Sequence, residues 1–176
     1  MKGNKLLVYL DIDETMLDHS KKESRWNKYV PEFIKELVNL IKLNKIDVMW
    51  HTMWFMEKGP NETFVGDLLG LDMGTDVIYQ LPENCSLEDW EEIWKEPRKL
   101  FLYEPWDVTK SDLWKHSDEY SDFVILDDYL WEDEVSTLTS LRESKNLTTD
   151  WNYLPINLKY NEEALLDALT KIKKRI

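Results

Sequence analysis

The sequence predicts an α/β domain built around a parallel β-sheet. Short apolar runs alternate along the chain with helix-length amphipathic segments, a pattern that is typical of βαβ units. The first apolar run, residues 6–10, leads directly into two aspartates, Asp11 and Asp13. Because ligands bind at the carboxyl ends of the strands in an open α/β sheet, this placement makes the chain a candidate enzyme.

The first half of the chain supplies two strands and the helix between them. After the strand at residues 6–10, a segment from Pro31 to Leu43 places its apolar residues on one helical face, and proline suits the first turn of a helix. Residues 46–50 are predicted as the second strand, which ends just before Thr52. Another helix is predicted over residues 60–69, where the following glycine supplies a stop.

The second half of the chain repeats this alternation with shorter elements. Residues 77–79 and 100–103 are predicted as short strands, and Ser86 with Asp89 is typical of a capping box at a helix start. The remaining predictions are helices at 111–116, 133–141 and 161–172 and strands at 123–126 and 153–158. At this length we expect residues 1–176 to form a single domain, with room for a small insertion within residues 53–109.

Composition and charge exclude several classes of function. A formal net charge of −13 argues against non-specific binding of nucleic acid by a broad basic surface. No apolar stretch approaches the ~20 residues that a membrane helix needs, so we expect no membrane partner. Cys85 is the only cysteine, which excludes an intrachain disulfide and a cysteine metal site. We therefore expect a reducing, cytoplasmic location.

Acidic, hydroxyl and basic side chains are predicted to meet at the carboxyl edge of the sheet. The candidates at strand ends or helix starts are Asp11 with Asp13, Thr52, Lys110, and Asp127 with Asp128. One carboxylate can attack phosphorus, a second can move a proton, acids can hold a hard cation, and hydroxyl and ammonium groups can bind phosphate oxygens. Lys115 is the alternative to Lys110 as the phosphate-binding lysine. Lys110 is favoured because it lies at the start of the predicted helix, where backbone amides also bind phosphate.

The order of these motifs resembles that of the haloacid-dehalogenase-like (HAD) superfamily. The matching segments are Asp11-Ile-Asp-Glu-Thr15, Val48-Met-Trp-His-Thr52, Lys110 and Val124-Ile-Leu-Asp-Asp128. The resemblance implies a three-layer, Rossmann-like fold with a parallel sheet, helices on both faces and a minimal cap. More narrowly, Trp50-His-Thr-Met-Trp54 and Leu69-Gly-Leu71 are similar to segments of compact HAD domains associated with RNA-repair proteins.

The resemblance also implies a role for each matched residue. Asp11 would be the nucleophile that becomes an aspartyl-phosphate, and Asp13 would be the general acid and base. Thr52 and Lys110 would hold the transferring phosphoryl group, and Asp133 would orient Lys110.

Magnesium is the cofactor that the resemblance implies. Its ligands would be the carboxylates of Asp11 and Asp128 and the backbone carbonyl of Asp13, with Asp127 supporting the metal site.

Further side chains near the predicted strand ends are candidates for contact with the substrate. They are Thr15, His51, Trp54 and Trp131. A tryptophan there can stack on a base or another planar group, with core packing as the alternative. His51 can reach a substrate, with a hydrogen-bonded structural histidine as the alternative.

The predicted function is therefore a magnesium-dependent phosphatase. Its expected partner is a phosphorylated substrate, such as a nucleotide or the terminal phosphate of a nucleic acid. A small-molecule phosphomonoesterase and a non-catalytic binding domain of the same fold are the alternatives. A receiver-type signalling domain is disfavoured, because Lys110 precedes the final acids and Thr52, rather than an aspartate, ends the second strand.

Overall fold

In the computed structural model of the protein, a four-stranded parallel sheet forms the centre of the fold. The structure describes residues 2–20, 22–53, 79–106, 108–147 and 150–176. The neighbouring strands are, in order, β4 (Ile46–Trp50), β1 (Leu6–Leu10), β5 (Asp122–Asp127) and β6 (Tyr153–Pro155). Leu10 pairs with Trp50 on one side and with Leu126 on the other, so three strands end at the same level. The predicted α/β class and parallel sheet are confirmed.

Helices flank this sheet. They are α1 (Val30–Lys42), α2 (Leu87–Trp94), α3 (Pro97–Leu100), α4 (Glu132–Ser144) and α5 (Ala164–Arg175), with 3-10 helices at Lys110–Glu119 and Asp150–Asn152. The predicted cap of α2 is confirmed, since the Ser86 hydroxyl accepts a hydrogen bond from the Asp89 amide at 3.1 Å. The helix predicted at residues 60–69 lies outside the described residues. Within the described ranges, no helix has both the length and the apolar character to cross a membrane.

Two of the predicted strands are shorter than expected. The segment at 100–103 contributes a single parallel bridge between Leu102 and Met49, which extends the sheet beyond β4. Strand β6 ends at Pro155 instead of residue 158, since its partner strand β5 ends at Asp127, the residue that pairs with Pro155. The strand predicted at 77–79 lies almost entirely outside the described residues.

A small antiparallel ribbon follows the first strand and was not predicted. It pairs β2 (Leu17–Asp18) with β3 (Arg25–Trp26). Strands of two residues are too short to show the alternation of apolar and polar side chains that identifies a strand in a sequence. The chain turns sharply before the ribbon at Glu14, whose φ of 59° lies in the left-handed region. The ribbon therefore starts immediately beside Asp13.

Alternate residues of β1 contribute to two separate apolar clusters. Leu6, Val8 and Leu10 belong to the cluster that contains buried residues of α1 and α5. Leu7 and Tyr9 belong to the cluster that contains residues of α4 and of the 3-10 helix Lys110–Glu119. The Tyr9 hydroxyl donates to the Leu113 carbonyl at 2.8 Å, which ties that 3-10 helix to the central strand.

Tryptophans provide much of the larger cluster. Among the described residues, the five largest fully buried side chains are Trp26, Trp50, Trp90, Trp94 and Trp114, and all but Trp114 belong to the cluster that contains α1 and α5. The ring centroids of Trp26 and Trp90 lie 5.1 Å apart, and those of Trp50 and Trp94 lie 6.1 Å apart. These five tryptophans therefore pack in the protein core.

Candidate active site

Main-chain hydrogen bonds between the strands continue for one residue beyond the ends of β1 and β4. The Asp11 amide donates to the Leu126 carbonyl at 3.0 Å, and the His51 amide donates to the Leu10 carbonyl at 2.8 Å. These bonds fix the backbone just beyond the ends of β1 and β4. Side chains that follow three different strands are thereby held close together.

Three carboxylates converge at this edge. Asp11, Asp127 and Asp128 each place one carboxylate oxygen within 4.8 Å of those of the other two. Asp11 and Asp127 are buried, and Asp128 is the most exposed of the three. The Thr15 hydroxyl donates to Asp11 Oδ2 at 3.2 Å and so orients the carboxylate of Asp11.

Lys110 supplies the positive charge of this cluster. Its Nζ lies 2.5 Å from Asp127 Oδ2 and 3.7 Å from Asp11 Oδ1, and its side chain is only 10% exposed. Burial opposes the charged form, but the carboxylates of Asp11 and Asp127 raise the pKa of Lys110 above its usual value. Lys115, the sequence-level rival, instead pairs at the surface with Glu104 at 3.0 Å. Lys110 is therefore the lysine that belongs to the acid cluster.

His51 joins the sheet edge to the 3-10 helix. Its Nε2 accepts a hydrogen bond from the Trp114 indole N–H at 2.9 Å, and its Nδ1 lies 3.2 Å from Asp127 Oδ2. Because the indole can only donate, Nδ1 is the ring nitrogen that carries the proton and donates to Asp127. Burial lowers the pKa of His51, which agrees with this neutral form.

The acids of the cluster differ strongly in their affinity for a proton. Although burial opposes ionisation, the hydrogen bond from His51 and the charge of Lys110 hold the pKa of Asp127 at about 2. Burial and the charge of Asp127 raise the pKa of Asp11. Burial and the neighbouring Asp127 also raise the pKa of Asp128 to about 7. Repulsion among the carboxylates is therefore only partly offset by Lys110.

The donor set fits a hard divalent cation. Magnesium prefers oxygen ligands such as carboxylates, and Asp11, Asp127 and Asp128 offer three close together. A cation there would relieve the repulsion that raises the pKa of Asp128. No other group of three such ligand atoms is found within the described ranges.

Asp13 lies beside this cluster on a more exposed part of the chain. Its Oδ1 lies 2.8 Å from Nε2 of His19, a residue of the loop between β2 and β3. The other ring nitrogen, Nδ1, lies 2.6 Å from the Ser24 hydroxyl. The described contact that orients the Asp13 side chain comes from the ribbon that follows it.

Thr52 follows His51 at the end of β4 and is almost completely buried. Its carbonyl accepts a hydrogen bond from the Trp106 indole N–H at 3.2 Å. That bond ties the loop after β4 to the loop before the 3-10 helix. Thr52 and Lys110 are thereby held on neighbouring segments.

An open pocket adjoins Lys110. It has a volume of about 370 Å³ and is lined by Met53, Trp106, Val108, Thr109, Lys110, Trp131, Asp133 and Glu134. The Trp131 side chain packs edge-on against Tyr129, with ring centroids 5.6 Å apart, and Trp131 remains 63% exposed. Trp131 therefore lies where a planar group bound beside Lys110 can reach it. Trp54, the other predicted substrate-binding tryptophan, lies outside the described residues.

Two contributors to the site were missed at the sequence level. Trp114 fixes the tautomer of His51, a contact between residues far apart in the chain that no local pattern signals. Glu134 is buried, accepts a hydrogen bond from the Trp131 amide at 2.8 Å and adds negative charge near Lys110. Its position three residues after the helix cap was the available signal. The resemblance implies that Asp133 orients Lys110. In the structure Asp133 is exposed at the rim of the pocket.

The predicted substrate-binding residues fall into two groups. Thr15 and His51 are fully buried, and each contacts an acid of the cluster. Trp131 lines the open pocket. Direct contact of any of these residues with a substrate stays a prediction.

Comparison with protein-family models, curated proteins and solved structures found no match for this chain.

Proposed function

We propose that this protein is a magnesium-dependent phosphatase of the HAD type that hydrolyses phosphomonoesters through an aspartyl-phosphate on Asp11. The observation that carries the proposal is the convergence of the carboxylates of Asp11, Asp127 and Asp128, with the ammonium group of Lys110 beside Asp11 and Asp127. A surplus of carboxylates beside one buried cation suits the joint binding of a metal ion and a phosphate group.

We further infer the three-layer arrangement that is typical of the HAD fold. The alternation of β1 supports it, since Leu6, Val8 and Leu10 pack in one apolar cluster and Leu7 and Tyr9 pack in the other. Helices α1 and α5 contribute to the first cluster, and α4 contributes to the second.

In the proposed reaction, Asp11 carries out the nucleophilic attack and Asp13 carries out the proton transfers. An Asp11 oxygen forms a bond to phosphorus while the bond between phosphorus and the leaving-group oxygen breaks. Asp13 donates a proton to that leaving oxygen. Asp13 then takes a proton from the water that attacks the aspartyl-phosphate, which releases inorganic phosphate and restores the Asp11 carboxylate.

The remaining residues of the site bind and orient the reacting groups. In this proposal Lys110 and Thr52 hold phosphoryl oxygens, and the hydrogen bond from Thr15 orients the Asp11 carboxylate. His51 and Trp114 keep Asp127 ionised and in place. Magnesium bound by the carboxylates would offset the negative charge that otherwise keeps a phosphate group away from Asp11.

The pocket beside Lys110 favours a phosphomonoester that carries a planar group, such as a nucleotide or the phosphorylated end of a nucleic acid. Trp106 and Trp131 supply aromatic surface, and stacking on such a surface tolerates any base. The net charge of −13 restricts the contact with a polymer to a few nucleotides around the site. A small phosphomonoester without a base is the alternative substrate.

Phosphate release in the presence of magnesium or EDTA tests the proposed activity. The substrates are p-nitrophenyl phosphate, mononucleotides, sugar phosphates, and oligonucleotides phosphorylated at the 5′ or 3′ end. Asp11→Asn removes the nucleophile with little change of shape and should abolish turnover. Asp112→Asn, at an exposed acid of the 3-10 helix, is the matched control.

Two results would contradict the proposal. The covalent mechanism fails if Asp11→Asn keeps near-normal turnover. Full activity in excess EDTA excludes the role of magnesium. A folded protein that binds phosphorylated ligands without hydrolysing any of them would instead support the non-catalytic binding domain.

A further inference from the structure

The loop between β2 and β3 brings a histidine and a serine against Asp13. His19 Nε2 lies 2.8 Å from Asp13 Oδ1, and His19 Nδ1 lies 2.6 Å from the Ser24 hydroxyl. The His19 amide also donates to the Glu14 carboxylate at 3.2 Å. Both nitrogens of the ring and the backbone of His19 are therefore fixed by neighbours.

Ser24 connects this contact to the rest of the fold. Its carbonyl accepts a hydrogen bond from the Gln80 amide at 2.8 Å, and the next residue, Arg25, forms a parallel bridge with Gln80. The imidazole of His19 is thus held between Asp13 and an anchored part of the ribbon.

The hydrogen-bonding capacity of the groups defines the direction of the contact. An ionised carboxylate can only accept, so the His19 Nε2 carries a hydrogen and donates it to Asp13 Oδ1. This holds for both the neutral and the protonated imidazole. Because Oδ1 accepts from His19, a proton carried by the Asp13 carboxyl group belongs on Oδ2.

We propose that His19 is a positioning residue that fixes the Asp13 side chain, so that Oδ2 delivers its proton to the leaving-group oxygen. This inference rests on the proposed phosphatase activity. In the step concerned, the bond between phosphorus and the leaving oxygen breaks while the proton moves from Asp13 Oδ2 to that oxygen. His19 stays outside the proton transfer, and Ser24 sets the orientation of its ring.

The proposal makes the effect of His19 depend on the leaving group. An alkoxide is a poor leaving group and needs the proton, whereas p-nitrophenolate departs without one. The value of kcat/KM reports the transfer of the phosphoryl group to Asp11 and excludes the later hydrolysis, in which Asp13 also acts.

The experiment compares kcat/KM for an alkyl phosphate, such as glycerol 3-phosphate, with that for p-nitrophenyl phosphate. His19→Leu should lower the value for the alkyl phosphate about 10-fold, a fraction of the 10²- to 10⁴-fold contribution of a general acid. The value for p-nitrophenyl phosphate should change less than about 2-fold, because its leaving group needs no proton.

Two further variants keep the test decisive if His19→Leu does not fold. His19→Gln places an amide donor near the position of Nε2 and should restore most of the loss. Ser24→Ala should also lower kcat/KM for the alkyl phosphate more than for p-nitrophenyl phosphate, but by a smaller factor than His19→Leu. His116→Gln is the matched control, because His116 pairs with Glu104 away from Asp13.

The outcomes separate this inference from the proposed function. Equal losses on both substrates, or no loss on either, with an active wild-type protein overturn the role of His19 alone. A wild-type protein that hydrolyses neither substrate with magnesium overturns the proposed function, and the role of His19 falls with it. Selective loss on the alkyl phosphate with rescue by glutamine supports both.

Discussion

Replacing Asp128 with asparagine should stabilise the protein without metal and destabilise it with metal. Asparagine keeps the shape of the side chain and removes one charge from the group formed with Asp11 and Asp127. In EDTA that charge is unfavourable, since burial and Asp127 raise the pKa of Asp128 to about 7. With magnesium bound, the same charge becomes a ligand.

The size of the effect without metal follows from this raised pKa. The change from the ordinary value for aspartate sets an upper limit of about 4 kcal/mol at pH 8. Because Asp128 is only half-buried, solvent screening reduces the expected gain to ~1–2 kcal/mol.

The stabilising effect of Asp128→Asn depends on pH. A raised pKa in the folded state means that this carboxyl group favours folding below about pH 4 and loses that contribution by about pH 7. The advantage of asparagine should therefore be largest at pH 8 and should shrink at pH 5.

Thermal unfolding at pH 8 measures both halves of this prediction. In EDTA the variant should melt about 3–6 °C higher than the wild type, from the usual relation between free energy and melting temperature at this size. At a magnesium concentration of 100 times its Kd, the wild type should gain about 2.7 kcal/mol, and the order of stabilities should reverse. Asp112→Asn is the control for the loss of a carboxylate elsewhere.

The reasoning fails if Asp128→Asn is less stable than the wild type in EDTA at pH 8. It also fails if magnesium stabilises the wild type and the variant equally, since Asp128 would then not be a ligand.

Three more predictions concern other parts of the molecule. Lys110→Met should destabilise the protein by about 3–5 kcal/mol in EDTA, because the buried Asp11 and Asp127 lose their counter-charge. Magnesium should recover part of this loss, and a change below about 1 kcal/mol in urea unfolding would contradict the described pairing. Tyr9→Phe should cost about 1 kcal/mol at pH 7 through the lost bond to the Leu113 carbonyl. Burial raises the pKa of Tyr9 in the folded protein. The wild type therefore loses stability above about pH 10, where the Tyr9 hydroxyl ionises in the unfolded chain. The urea midpoints of the wild type and Tyr9→Phe should therefore lie closer together at pH 11 than at pH 7. A difference that stays constant with pH would contradict the raised pKa of Tyr9. Trp131→Ala should raise KM for a mononucleotide at least about 5-fold, the lower end for base stacking, and leave KM for glycerol 3-phosphate unchanged. Equal changes on both substrates would exclude stacking.

Much of the sheet could be predicted because its strands are short, largely apolar runs followed by polar residues. Residues 6–10 and 46–50 were predicted at their observed bounds for this reason. The proximity of Asp11, Thr52 and Asp127 followed from the same rule, since parallel strands end at one edge. Strand ends therefore indicated the candidate site without any knowledge of tertiary contacts.

The parts that could not be predicted depend on contacts between distant segments. Trp114 bonds His51 from the 3-10 helix, which the hydrogen bond from Tyr9 to Leu113 ties to the sheet. The contact of His19 with Asp13 depends on a ribbon whose strands are too short to leave a pattern in the sequence. Sequence patterns report local periodicity, and neither of these contacts arises from it.

The position of β1 at the centre of the sheet has a consequence for folding. It precedes both of its partners in the chain, and one of them, β5, follows only after more than 100 residues. Pairing between segments so far apart in sequence is slow, because a long loop must close before the contact is made. A nascent chain that ends before Asp122 leaves one edge of an apolar strand unpaired, and an open edge of this kind is a template for association with other chains. The tendency of the nascent chain to associate through this edge should therefore fall only when β5 has left the ribosome.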